Sequence, residues 1–342
     1  MLHGNSKIRC LLLGGNATQE IISAVKSGFD ELNINCIHIP TRKKGTRYKP
    51  IDNIFENIST VISSHQINIC IWLMCKYDCE SGLITKLKRQ HNKVIFVFHS
   101  FDDPTQIDTI GKIWAKDFDY AITSCVDSIK EYHKIGVPAL CLYPPYKIGF
   151  HENAKHDNKY ECDVSFSINN FYKKELWPST FIDRDIMAYE LSKICSIDIY
   201  GELNSELENC SNKKIKKTIM DNQKGKKTWV EMRDIYASSK IVLNSHNNAS
   251  SYGYVNERLI HAMASGGFML VDHTNGLSDI FKVGIHLDTY INIDELINKT
   301  KYWLSNDAHR NHVRDAGQSY VLNNFSNITF NKRLLEFVGF EL

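Results

Sequence analysis

The chain has 342 residues and no apolar run approaching the roughly 18 that a membrane-spanning helix requires. Residues 1–9 are mostly polar, and the apolar run 10–13 behind them is too short for the core of a secretory signal. An excess of one charge is also missing. The 41 Lys and Arg stand against 39 Asp and Glu, so net charge alone marks neither a nucleic-acid binder nor an acidic tail. No Cys-x-x-Cys occurs. Cys70, Cys75 and Cys79, the densest cysteines, lack a His/Cys pair at zinc spacing and read as free thiols of a reducing compartment. No Gly-x-Gly-x-x-Gly follows the first predicted strand. Gly14-Gly15-Asn16 stands there instead, which argues against a nicotinamide cofactor. The expected setting is cytoplasmic, with no metal site and no tightly bound cofactor.

What is present is an alternation of apolar runs and helical patterns. A strand is predicted over 8–13, and Ile21, Ile22, Val25 and Phe29 share one face of a helix over about 18–32. Further strands are predicted over 34–39, 67–74, 94–98, 120–123 and 139–142, with helices between them. That rhythm predicts a parallel, doubly wound sheet whose strand C-terminal ends form one ligand-binding rim. Pro144-Pro145, Gly149 and the polar run to Asn158 mark a linker, after which strands are predicted over 160–167, 197–201, 241–246 and 285–290. The expected domains are 1–147 and 148–324, followed by a helix within 325–342.

The second half is organised around Gly253-Tyr254-Val255-Asn256-Glu257-Arg258-Leu259-Ile260-His261-Ala262-Met263-Ala264-Ser265-Gly266-Gly267, which leads into the apolar run 268–271 and Asp272. Asn256 is a suitable N-cap, and Val255, Leu259, Ala262 and Met263 give an apolar helix face. A helix opening after a Gly-bearing loop presents free N–H groups and the positive end of a dipole, which favours a bound phosphate. The same pattern also fits an αβ unit that binds nothing.

The run Asn256-x-Arg258-x-x-His261-Ala262-x-Ala264-x-Gly266, with its apolar strand ending in Asp272, resembles the donor-nucleotide segment of GT-B glycosyltransferases, in particular the CgeB-like spore-maturation group. Collinear likenesses are Phe-Asp-Tyr-Ala-Ile-Thr at 118–123, the strand at 160–167, Arg184 at a helix start, Val-Leu-Asn-x-His at 242–246 and Leu-x-x-Ile-Phe at 277–281. The resemblance implies an α/β GT-B fold, with two Rossmann-like doubly wound domains facing across a cleft and the last helix packing back on the first. It implies a nucleotide-sugar in the second domain, its diphosphate near the Asn256 helix and Arg258. Arg184, Gly201, Asn244, His246, Gly253 and Tyr254 are its further donor-side residues. The residue before Ala262 is usually Glu in that group and holds the donor ribose. Here it is His261, whose imidazole hydrogen-bonds a hydroxyl as donor or acceptor.

The first domain is then the acceptor side, with Gly14, Gly15 and Asn16 after its first strand. Arg42, Lys43, Lys44, Arg47 and Lys49 read either as a solvated loop or as a dock for an anionic acceptor. Asp102 and Asp103, before Pro104, read either as a general base or as a helix-capping turn. Residues 213–227 carry seven lysines and read as a flexible basic segment, and Arg184 reads either as a donor ligand or as a salt-bridged surface side chain. The favoured function is transfer of a sugar from a nucleotide-sugar to a glycan, a protein or a modified nucleic acid. The alternatives are a GT-B-like scaffold protein without catalysis and a nucleic-acid-associated protein using the two basic clusters.

Overall fold

A computed structural model describes residues 7–15, 19–43, 49–73, 80–168, 183–203, 207–208 and 210–342. The expectations for Asn16, Lys44, Arg47, Cys75 and Cys79 fall outside the described residues. The chain divides into two compact units, Met1–Lys147 with Phe325–Leu342, and Ile148–Asn324. Among the described residues each unit holds one parallel six-stranded sheet.

The first unit contains β1 (Arg9–Gly14), β2 (Asn35–Pro40), β3 (Ile69–Leu73), β4 (Ile95–Ser100), β5 (Tyr120–Thr123) and β6 (Ala139–Cys141), in the order β2-β1-β3-β4-β5-β6. Its central strands are apolar at successive positions because both faces are covered. Leu11, Leu13 and Trp72 pack under the helices Ile54–His65 and Leu83–Gln90. Cys10, Leu12 and Ile71 pack on the other face under Ile22, Val25 and Phe29 of the helix Gln19–Glu31. Phe330, Leu334 and Leu335 of the final helix, Asn327–Phe337, belong to that same core, each buried side chain contributing about 2 kcal/mol. Asn327 Nδ2 donates to Ala24 O at 3.0 Å, and Asn331 Nδ2 to Val25 O at 2.7 Å.

The second unit contains β7 (Cys162–Ser167), β8 (Ile197–Tyr200), β9 (Gln223–Gly225), β10 (Ser239–Asn244), β11 (Met269–Asp272) and β12 (Asp288–Tyr290). Their order, β12-β11-β10-β7-β8-β9, is the Rossmann order, reversing direction between β7 and β10. In such sheets the strand C-terminal ends at the reversal open a ligand crevice. Ser167 and Asn244 are the last residues of β7 and β10.

Two expectations are corrected. Residues 213–227 are not a flexible segment: they form the helix Lys213–Asn222 and the edge strand β9. Ile215 and Ile219, one turn apart, bury against the core, and the Asn212 side chain accepts from Lys214 N and Ile215 N, so an amphipathic helix lies beneath the lysines. The strand predicted over 285–290 begins only at Asp288, because Gly284 N donates to Leu287 O and turns the chain first. No described helix is long and apolar enough to cross a membrane.

The contact between Gln19–Glu31 and the final helix depends on Gly28, where a Cβ would lie 2.6 Å from Asn327 O and 2.7 Å from Asn331 Nδ2. In an open helix Gly→Ala stabilises by about 1 kcal/mol. Gly28→Ala is expected instead to destabilise by about 1–3 kcal/mol in urea unfolding, the cost of overpacking. A neutral or stabilised variant would show that the two helices do not approach this closely.

Candidate nucleotide site

At the ends of β7 and β8, Ser167, Tyr200 and Gly201 border a pocket of about 190 Å³. One wall is the helix Trp229–Ser238, which contributes Trp229, Met232, Arg233 and Tyr236. This helix starts sharply because Thr228 and Glu231 form a capping box, Glu231 N donating to Thr228 Oγ1 at 3.2 Å and Thr228 N to Glu231 Oε2 at 2.9 Å. The other wall is the helix Glu257–Ala264, with Glu257, Arg258 and His261. Three rings meet here: His261 lies 5.0 Å from the centroid of Trp229 and 4.4 Å from that of His151. Arg233 stacks over Phe150 at 4.8 Å and donates to its carbonyl at 3.0 Å.

Arg258 leads from the pocket to a buried polar corner at the end of β10. The Asn256 side chain caps its helix by accepting from Leu259 N at 3.1 Å. Its Nδ2 donates to Asn244 Oδ1 at 3.1 Å, and Arg258 Nη1 donates to the same oxygen at 2.9 Å. Arg184 is 7% exposed, so it is not a surface side chain. Its Nη2 donates to Ser245 O and Asn247 Oδ1, both at 2.7 Å. Burial, and then the neighbouring Arg258, lower the Arg184 guanidinium to about 10, while Asp272 acts in the opposite sense. Two guanidiniums sharing a poorly hydrated corner repel, and an anion placed there relieves the repulsion. Burial raises the nearby Tyr236 hydroxyl above its ordinary value, against the pull of Arg258.

The structure thus gathers Arg184, Asn244, Asn256 and Arg258 in one place, with His246 and Tyr254 beside them at a ring separation of 5.4 Å. Gly201 and His261 join the pocket. Gly253 does not line it; its N–H donates to Asn275 O at 2.7 Å and shapes the approach to the helix. Sequence reasoning did not single out Trp229 and Tyr236 as pocket residues, and it missed His151 because it lies in an apparent linker. The capping signal Thr-x-x-Glu before Trp229 was available to place that ring at a helix start.

In the first unit Gly14 O accepts from Thr41 N at 3.0 Å. A Cβ at Gly15 would lie 2.3 Å from Arg42 Cδ, so glycine is what allows Arg42 to pack there. Arg42 is therefore buried rather than part of a solvated loop, and Lys43 pairs with Asp52 at 2.7 Å. Four of the seven lysines of 213–227 are answered locally, Lys217 by Asp221, Lys224 by Asp198, Lys226 by Glu202 and Lys227 by Glu231. Among the described residues no group of three or more His, Cys, Asp or Glu is arranged to hold a metal ion.

Asp103 does not suit a solvent-facing base. It is fully buried, accepting from Ser100 Oγ at 3.0 Å and Tyr132 OH at 2.7 Å. Burial raises its carboxyl to about 6, although the hydrogen bonds from Tyr132, Thr123 and Ser100 pull it down. The folded-state value lies above the unfolded 3.8, so its stabilising contribution is complete below pH 3.8 and is lost as pH rises through about 6. Between pH 4 and 7 this loss is on the order of 3 kcal/mol. Urea unfolding of Asp103→Asn across that range is expected to lack this part of the pH slope. An unchanged slope would show that Asp103 is ionised throughout.

Residues 192–336 match a family model described as glycosyl transferase-like. Among solved structures, a glycosyltransferase from Rickettsia africae is similar at TM-score 0.66 and 13% identity, covering 97% of this chain and 98% of that one. HepE of Anabaena in complex with UDP-glucose gives 0.63 at 11% identity, covering 97% and 99%. A sucrose-phosphate synthase from Thermosynechococcus elongatus gives 0.64 at 9%, covering 97% and 98%. A search of curated protein sequences gives no match. The chain therefore has the GT-B fold, with two α/β units each built on a parallel sheet.

Proposed function

We propose that this protein is a glycosyltransferase that takes its sugar from a nucleoside diphosphate sugar held by the second unit. The observation that carries this reading is the Arg184–Arg258 pair beside the pocket at the Rossmann reversal. The match of residues 192–336 to a glycosyl transferase-like model, and the UDP-glucose complex of HepE, support it. The nucleoside occupies the pocket against Trp229, with the imidazole of His261 at a ribose hydroxyl where a carboxylate stands in the CgeB-like group. The diphosphate lies between the start of the helix Glu257–Ala264 and the two guanidiniums. Departure of the nucleoside diphosphate develops negative charge, and preorganised cations and a helix dipole stabilise that charge as it forms. The first unit takes the acceptor near Gly15 and Arg42. With Asp103 enclosed, half-buried Asp102 is the carboxylate of the pair suited to act as a base.

The test is the thermal midpoint of the protein with UDP, GDP, CDP, ADP and dTDP in turn. A nucleotide at 100 times its dissociation constant stabilises the fold by about 2.7 kcal/mol. One of these diphosphates is expected to raise the midpoint, and Arg258→Ala to weaken it by about 10- to 100-fold, the worth of a charge-assisted hydrogen bond. A midpoint indifferent to all five, or a shift left undiminished by Arg258→Ala, contradicts the assignment. Consumption of the matching nucleotide-sugar separates an enzyme from a scaffold that only binds it.

A further inference from the structure

His246 is fully buried directly after β10, held by Asp272 at the end of the adjacent strand β11. Its backbone N–H donates to both Asp272 oxygens at 2.9 Å, and its Nδ1 lies 2.7 Å from Asp272 Oδ1. A carboxylate at that distance fixes Nδ1 as a donor. Nε2, at the other side of the ring, is buried and has no hydrogen-bond partner. Asn244 Nδ2 and Thr274 Oγ1, at the ends of the same two strands, are likewise buried and unpartnered. Burying a polar atom unpaired is unfavourable, and three together where a crevice is expected indicate a polar ligand.

The surrounding charges identify its chemistry. Arg184 donates to Ser245 and Asn247, the residues on either side of His246, and lies within the influence of Arg258 and Asp272. Tyr254 faces the imidazole at 5.4 Å, and Tyr290 OH donates to Asn244 O at 2.8 Å. Asp272 thus holds one side of the imidazole, Tyr254 faces it, and Arg184 is anchored to the residues that flank it. A diphosphate oxygen accepts hydrogen bonds and does not donate them, so a hydrogen bond between it and Nε2 requires a proton on Nε2.

We infer that the Asp272–His246 pair is a third member of the anion cradle, in which His246 gains a proton as a diphosphate binds and donates Nε2–H to a phosphate oxygen. The inference rests on the donor site proposed above. The proton comes from solvent and adds to the free lone pair of Nε2, while Nδ1–H stays on Asp272. Loss of the diphosphate returns the proton, so release of nucleotide product is coupled to proton release.

Calorimetric titration of UDP at neutral pH, in buffers of different ionisation heat, reads the protons taken up on binding. Phosphorus NMR of bound UDP reads the protonation of its terminal phosphate in each protein, so the uptake that remains different between wild type and His246→Gln belongs to His246. Greater uptake by the wild type is expected, with about tenfold or more weaker UDP binding by the variant. Equal uptake by the two proteins overturns the inference. If the variant does not fold, nitrogen NMR of the wild-type histidines decides. One ring is expected to pass from neutral with Nδ1–H to imidazolium on saturation with UDP, and its absence overturns the inference. A wild type that binds no nucleoside diphosphate instead removes the donor site itself. UDP binding without proton uptake leaves the donor site and removes only the role of His246.

Discussion

Two positive side chains held together where water is scarce are the constraint around which the second unit is arranged. Arg184 comes from the start of one helix and Arg258 from the first turn of another. Ser245 O and Asn247 Oδ1 accept from Arg184 and Asn244 Oδ1 from Arg258, while Arg258 opposes the charge on Arg184 and Asp272 supports it. Such an arrangement is unfavourable for folding alone and favourable for binding an anion. The surrounding structure keeps it fixed. Asn244 is fully buried at the end of a central strand, and Asn256 both caps its helix and donates to Asn244.

The Rossmann strand order explains why these groups meet. Connections leaving β7 and β10 run in opposite directions, so their ends are not covered by a crossover helix. The pocket opens there, with Trp229 on one wall, His261 on the other, and Arg258 leading to the charged corner. A pocket walled partly by aromatic rings and joined to a cationic corner has the two-part chemistry of a nucleoside diphosphate, a flat base and ribose joined to concentrated negative charge.

Much of the fold was legible because both sheets are covered on both faces. Strands such as β3 and β11 are continuous apolar runs, and the helices between them keep a 3.6-residue apolar period. The Asn256 helix was readable from its cap, whereas Arg258 and Asn244 were singled out through the resemblance to GT-B glycosyltransferases. What could not be read depends on contacts between distant residues. Arg184 looks like any surface arginine until the 245–247 loop is folded over it. Asp103 looks like a rim carboxylate until Tyr132, 29 positions on, closes against it. His151 sits in a Pro- and Gly-rich stretch with no local pattern to mark it, and only the tertiary fold brings it to His261. The lysines of 213–227 dominated a segment whose structure is set by Ile215 and Ile219.

The most direct measurement of the central claim is a crystal structure of the protein grown with saturating UDP. The account predicts that the uracil and ribose lie in the pocket against Trp229 and His261, with diphosphate oxygens about 2.7–3.2 Å from guanidinium nitrogens of Arg258 and Arg184. UDP bound with its diphosphate remote from both arginines, or a pocket without nucleotide at that concentration, would contradict it.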